Sequence, residues 1–284
     1  MIKLIVMLLS LATGAVCGFL FNTYGNSDIG LTILVSFACF IGALLAIVIL
    51  FFVFLFLLTF FENKNKKRMY QSKYFRRLLL ASDRLLFSLF GMKLHLNGIE
   101  NLSNNETYLI VGNHRSNLDS LVIDYYLRDF PLTFIAKDSL FKIPFVGHII
   151  HGCAYLNLKR DDVNKEYETI NDAIEMLVRE DRPLSIGVFP EGTRNKSNDP
   201  SNVQAFKGGT FRIAKKTRKP IVITAIRGSK EVNKNLLFKR HNVYLDIIEV
   251  LDFEQYKDMD VNEIALYCEN KIKLFLKETN LWDM

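Results

Sequence analysis

The chain has 284 residues, with 36 Lys and Arg against 30 Asp and Glu, for a formal net charge of +6. Its apolar residues are unevenly spread: residues 4–21 and 29–61 carry no charge, whereas from Glu62 onward the composition is that of a soluble domain. Roughly 220 residues build one domain with a sizeable core and exclude a second. The four cysteines (Cys17, Cys39, Cys153, Cys268) lie far apart without a CxxC, which excludes a disulfide framework or a zinc ribbon.

Leu4–Phe21 and Ile29–Phe61 are expected to form a membrane hairpin over residues 1–61. The first is close to the minimum for a spanning helix. The second would be about 50 Å long as a helix, against a hydrocarbon core of ~30 Å, so it must tilt, break at Gly42 or run along the interface. Asn22–Asp28, with Gly25 and no basic residue, is the loop between them. Lys3 precedes the hairpin, and seven basic residues with no acid follow it between Lys64 and Arg77. The positive-inside rule puts both flanks, and hence the remaining chain, on the cytoplasmic face of the cell membrane. A signal peptide cleaved near Ala12 and Gly14 would keep that orientation, and insertion into one leaflet is a third arrangement. The basic run suits an anionic lipid surface at about 1 kcal/mol per charge. Its place beside an apolar span favours lipid over nucleic acid as partner.

Residues 62–91 form a basic and amphipathic segment. From Tyr74 to Phe90, Phe75, Leu78, Leu79, Leu86, Leu89 and Phe90 recur at helical spacing, with Arg76, Arg77, Asp83 and Arg84 on the other side. The pattern fits a helix at the bilayer interface or one packed on the core. Over residues 92–284, strand-like runs at Met92–Leu96, Tyr108–Val111, Leu132–Ala136, Ala154–Leu158, Leu184–Phe189, Ile221–Ile226 and Val243–Val250 alternate with helix-like runs. The helices are expected at Asn117–Arg128, Ser139–His151, Asn164–Glu180, Phe206–Thr217 and Val261–Lys277. This alternation implies a single α/β domain with a mostly parallel or mixed sheet flanked by helices, and ligands beyond the carboxyl ends of the strands.

Two strings stand at such ends. In Gly112-Asn113-His114-Arg115-Ser116-Asn117-Leu118-Asp119, His114 and Asp119 meet only if His114 sits in the turn and Asp119 in the first helical turn. Ser116 is a natural N-cap for a helix starting at Asn117. Asp119 can then orient the imidazole, or it can merely satisfy backbone amides in a capping box with Ser116. In Pro190-Glu191-Gly192-Thr193-Arg194, a turn with Gly, Thr and Arg can offer amides and a guanidinium to a phosphate; a surface ion pair would account for the charge alone. His148 and His151 have no carboxylate beside them in sequence and are expected to be helix-face residues; His95 and His241 fall in strands. No metal site is expected.

Taken together, these strings resemble the glycerolipid acyltransferase family, whose best-known members are the lysophosphatidate (1-acyl-sn-glycerol-3-phosphate) acyltransferases. Asn113-His114-x-Ser116-x-x-Asp119 is similar to its first block. Phe134-Ile135-Ala136-Lys137 with Pro144, Gly147 and Leu158-x-Arg160 is similar to the second, Phe189–Arg194 to the third, and Pro220-Ile221-Val222 to the fourth. Ile223-Thr224 departs from the fourth block, where a second proline is common. The resemblance implies that His114 is a general base held by Asp119, and that Lys137, Arg160 and Arg194 grip the acceptor phosphate while Glu191, Gly192 and Thr193 shape that site. It also implies direct transfer of a fatty acyl group from acyl-CoA or acyl-carrier protein to the free sn-2 hydroxyl of lysophosphatidate in the bilayer, giving phosphatidate, with no bound cofactor. No Gly-x-Ser-x-Gly elbow or neighbouring cysteine suggests an acyl-enzyme. Other readings are glycerol 3-phosphate or another lysophospholipid as acceptor, a transacylase, and a non-catalytic lipid-binding protein.

Overall fold

The computed structural model describes residues 2–24, 28–159, 162–199, 201–232 and 240–282. The chain divides into two compact units, Met1–Phe61 and Glu62–Met284.

In the first unit, α1 (Ile2–Tyr24) packs along α2 (Ile29–Thr59). Both are long and apolar enough to cross a membrane. Among apolar helices, close backbone approach supplies the packing that hydrophobicity alone cannot. Gly14 and Gly18, one turn apart on α1, provide it: a Cβ on Gly14 would lie 2.6 Å from the Ser36 carbonyl oxygen, and one on Gly18 would lie 1.8 Å from Ser36 Oγ. α2 runs unbroken through Gly42, so that glycine is no hinge. Asp28 caps α2 by accepting the Gly30 and Leu31 amides at 2.7 and 3.2 Å. α1 reaches Tyr24, taking Asn22 from the expected loop; Gly25 lies outside the described residues.

The second unit begins with Glu62, whose carboxylate accepts from Arg68 (2.9 and 2.7 Å) and from His151 Nδ1 (2.7 Å). His151 therefore does have a carboxylate beside it, brought from 89 residues away. Next come α3 (Lys73–Leu89) and β1 (Met92–Asn97), then β2 (Leu109–Gly112), α4 (Asp119–Tyr126) and β3 (Leu132–Lys137). The expected helix over Ser139–His151 is two helices, α5 (Asp138–Phe141) and α6 (Val146–Gly152). Pro144 has no N–H to continue α5, and Phe145 turns the chain with φ 63°. β4 (Leu156–Leu158), α7 (Val163–Val178) and β5 (Ser185–Val188) follow. A 3₁₀ turn (Gly208–Phe211) leads into α8 (Arg212–Thr217), then β6 (Ile221–Arg227), α9 (Ser229–Val232), β7 (His241–Leu251), α10 (Phe253–Tyr256) and α11 (Val261–Trp282).

The seven strands form one mixed sheet in the order β1-β7-β6-β2-β5-β3-β4. The five from β6 to β4 are mutually parallel; β7 is antiparallel to β6, and β1 is parallel to β7. Alternate side chains divide between two cores. Leu109, Val111 and Ile186 pack with Met176, Phe211, Cys268 and Ile272 of the helices on one face. Ile110, Leu132 and Phe134 pack with Phe75, Leu79, Val122 and Ile150 on the other. The parallel central strands β2 and β5 are buried throughout, as strands covered on both faces must be.

The apolar stripe of α3 is buried in the second core, which makes it a packed helix. Asp83 does not lie on its opposite side as expected. Spacing of four residues places Asp83 on the buried face with Phe75, Leu79 and Phe87. Arg76 also turns inward and pairs with Asp124, which is fully buried on α4.

Candidate active site

β2 ends at Gly112, where a Cβ would meet Thr224 Oγ1 at 2.6 Å, so only glycine lets β2 and β6 approach this closely. Thr224 stands opposite in the ladder and donates its hydroxyl to the Val111 carbonyl (3.0 Å). The threonine at the departure from the resembled fourth block is thus an interior tie between strands. Asn113 then fixes the turn, donating Nδ2 to the Ile226 carbonyl (3.0 Å) and accepting the Ile226 amide at Oδ1 (2.8 Å).

His114 and Asp119 meet. Nδ1 of His114 lies 2.9 Å from Asp119 Oδ2, and the same oxygen accepts the Arg115 and Ser116 amides at 2.7 Å each. The two roles open in the sequence are thus performed by one oxygen. α4 begins at Asp119 rather than Asn117; Ser116 Oγ accepts the Leu118 amide at 3.2 Å, holding an extra turn before the helix. Asp119 is fully buried, and the His114 side chain is 20% exposed. Its ring stacks on Phe189, with centroids 4.3 Å apart and planes 12° from parallel, and Phe189 stacks in turn on Phe134. With Nδ1–H donated to the carboxylate, Nε2 is left as the basic nitrogen.

The Glu191 carboxylate ties the site's loops together. Oε1 accepts the His114 amide at 2.6 Å and Oε2 accepts the Gln204 amide at 3.1 Å. Burial pushes this carboxyl above its usual range, while the two amides pull it back. Gly192 adopts φ 73°, and its own N–H donates to the Phe189 carbonyl (2.9 Å), so this amide is not available to a ligand. The Thr193 hydroxyl donates to Gln204 Oε1 (3.1 Å). Glu191, Gly192 and Thr193 therefore shape the turn, and Arg194 beside them is exposed. Arg115, buried, donates to the Ser197 and Asp199 carbonyls (2.7 and 2.8 Å), and Asn195 N–H donates to the His114 carbonyl (2.7 Å). The structural parts played by Asn113, Arg115 and Phe189 carry no sequence signal beyond their place in the two strings.

A cavity of about 1010 Å³ opens beside this constellation. His114, Phe189, Gly192, Thr193 and Arg194 line it, together with Lys137 at the end of β3. Ile135, Leu140, Ile143, Leu158 and Ile170 give it a broad apolar wall. Arg160 lies outside the described residues. The arrangement brings a carboxylate-paired imidazole, two exposed cations and an apolar surface to the carboxyl ends of β2, β3 and β5, as expected for an α/β sheet.

Residues 93–227 match a family model described as Acyltransferase. A 1-acyl-sn-glycerol-3-phosphate acyltransferase of Borreliella burgdorferi is 30% identical over 192 residues, which are 66% of this chain and 74% of that protein. The protein of the same name from Escherichia coli is 28% identical over 187 residues, 65% of this chain and 73% of its own. Among solved structures, the 1-acyl-sn-glycerophosphate acyltransferase of Thermotoga maritima shares the fold with a TM-score of 0.60 at 22% identity, covering 97% of both chains.

Proposed function

Because the chain belongs to the acyltransferase family and is an acyltransferase, we propose that it acylates the free sn-2 hydroxyl of lysophosphatidate from an activated thioester, giving phosphatidate. One observation carries this reading: a buried-carboxylate–histidine pair at 2.9 Å faces a cavity that holds both exposed cations and an apolar wall. A lysophospholipid presents those needs together, a hydroxyl to deprotonate, a phosphate to hold and a chain to keep from water.

In this mechanism Nε2 of His114 takes the proton of the acceptor hydroxyl. The oxygen attacks the thioester carbonyl carbon, the C–O bond forms, the C–S bond breaks, and the proton passes from His114 to the leaving thiolate. Asp119 holds the tautomer that leaves Nε2 free and stabilises the imidazolium; such catalysis is worth about 10²–10⁴ in rate. Lys137 and Arg194 hold the acceptor phosphate, which fixes the hydroxyl near Nε2 and supplies the proximity term. The basic residues after the hairpin support a cytoplasmic orientation for this unit, in which donor from the cytosol meets acceptor in the bilayer.

The test is transfer of labelled acyl chain from thioester to lysophosphatidate by membranes containing the protein, beside the His114→Ala form. Transfer lost in a correctly folded variant supports the assignment; near-normal turnover without His114 refutes it. Arg194→Ala should raise the acceptor KM with a smaller change in kcat.

A further inference from the structure

We infer that the α8 segment carries a second anion site in the same cavity, in which Lys207, Arg212 and Lys216 hold the phosphate of the acyl donor's phosphopantetheine arm. The inference rests on the acyl-transfer reading above.

Three observations meet here. First, these three cations line the cavity that His114 lines, on the side formed by the 3₁₀ turn and α8 facing α7. Lys137 and Arg194 stand instead at the ends of β3 and after β5. Second, the basic residues of this stretch differ in their partners. Of those that do not line the cavity, Lys215 Nζ donates to the Lys257 and Met259 carbonyls (2.6 and 2.9 Å), Lys219 pairs with Glu106 (2.6 Å), and Arg218 lies 5.6 Å from the Phe253 ring centroid. Lys207, Arg212 and Lys216 are exposed, and among the described residues none has a carboxylate partner. Arg212 and Lys216 are four apart on one face of α8, a like-charge pairing that disfavours the free helix and that an anion would relieve. Third, Tyr167 of α7 also lines the cavity, 54% exposed, with Lys216 Nζ 5.7 Å from its ring centroid. The exposed ring gives the pantetheine chain a surface to lie on beside the cations that meet its phosphate.

The reaction itself calls for two anion sites. Acceptor and donor each bring a phosphate into one cavity, and their mutual repulsion falls if each meets its own cations. The lining is biased accordingly, since Glu166 is its only carboxylate among the described residues. Acyl-CoA and acyl-carrier protein share the phosphopantetheine phosphate; they differ in what lies beyond it.

The test is steady-state kinetics of the purified full-length protein and its Arg212→Ala/Lys216→Ala form, varying donor and acceptor separately. The expected result is a donor KM raised about tenfold or more, an effect that shrinks with rising salt, while the acceptor KM holds. With S-palmitoyl-N-acetylcysteamine, which has no phosphate, the ratio of variant to wild-type donor KM should fall towards one. Equal rises for palmitoyl-CoA and palmitoyl-carrier protein identify the shared phosphate. A rise for palmitoyl-CoA alone assigns the cations to the nucleotide phosphates, and a rise for the carrier alone assigns them to the carrier's acidic surface; either overturns the inference. Arg212→Lys/Lys216→Arg should restore the donor KM, which separates charge from folding. Calorimetric binding of coenzyme A reads the site without turnover, so failure of the acyl-transfer reading leaves it measurable. An unchanged donor KM with unchanged coenzyme A affinity, or a rise confined to the acceptor KM, overturns the inference.

Discussion

Asp83→Asn should stabilise the protein at neutral and alkaline pH. Asp83 is fully buried, and neither carboxylate oxygen has a hydrogen-bond partner among the described residues. Burial, with a further push from the Asp124 charge, raises its pKa from the usual 3.8 to about 8; the Arg76 guanidinium, paired with Asp124, opposes the rise. A carboxyl raised in the native state binds a proton there that the unfolded chain releases. Its contribution is therefore full below about pH 4, lost progressively as pH rises to about 8, and constant above. At pH 7 some three units of that interval have been crossed, or about 4 kcal/mol. Asn is neutral throughout and nearly the same shape, but its second N–H raises the cost of unpartnered burial by ~1–3 kcal/mol. The net gain at pH 7–8 is then about 1–3 kcal/mol, or roughly 2–12 °C in Tm for a unit of this size. At pH 5 the gain should vanish or reverse. The assay is scanning fluorimetry of both forms from pH 5 to 9 in one detergent at one scan rate. Parallel Tm curves would refute the reasoning, because they would mean that Asp83 titrates alike in the folded and unfolded chains.

Asp119→Asn keeps the shape that receives the Arg115 and Ser116 amides but removes the charge behind the imidazolium; kcat should fall about 10²–10⁴-fold with little change in acceptor KM. Glu191→Ala leaves the His114 and Gln204 amides without their buried acceptor, at ~1.5–3 kcal/mol for each charge-assisted bond. It should lower both Tm and kcat, and a rise in acceptor KM alone would place Glu191 against substrate instead. Gly187→Ala puts a methyl 2.3 Å from the Phe134 ring, an overpacking cost of about 1–3 kcal/mol. Since Phe134 stacks on Phe189 and Phe189 on His114, the same change should depress kcat; a variant of normal Tm and normal turnover would show that the stack does not position the base.

The strand–turn–helix carrying His114 is legible in the sequence because a short apolar run, a glycine and an N-cap residue are local signals. The pairing with Asp119 follows once the turn is placed. What is not legible depends on contacts remote in sequence. His151 finds Glu62 only when α6 folds against the segment following the hairpin. Asp83 is charged by type, so the sequence assigns it to solvent, whereas its helical phase puts it inside. Glu191 reads as a turn residue, and only the fold shows that its two oxygens join the His114 turn to the segment at Gln204. The break at Pro144 is a local signal, outweighed in the sequence by the apolar periodicity on either side.

The strand order has a consequence for how the protein is made. β1 leaves the ribosome early, yet its sheet partner is β7, which begins about 145 residues later, and β7 must also slot in beside β6. At roughly 5–20 residues per second, β1 waits about 7–30 s for that partner. Throughout that interval its edge is unpaired. Synthesis halted before His241 would leave both β1 and one side of β6 open, so premature termination or a slow stretch of translation there should yield aggregation rather than a weakened enzyme.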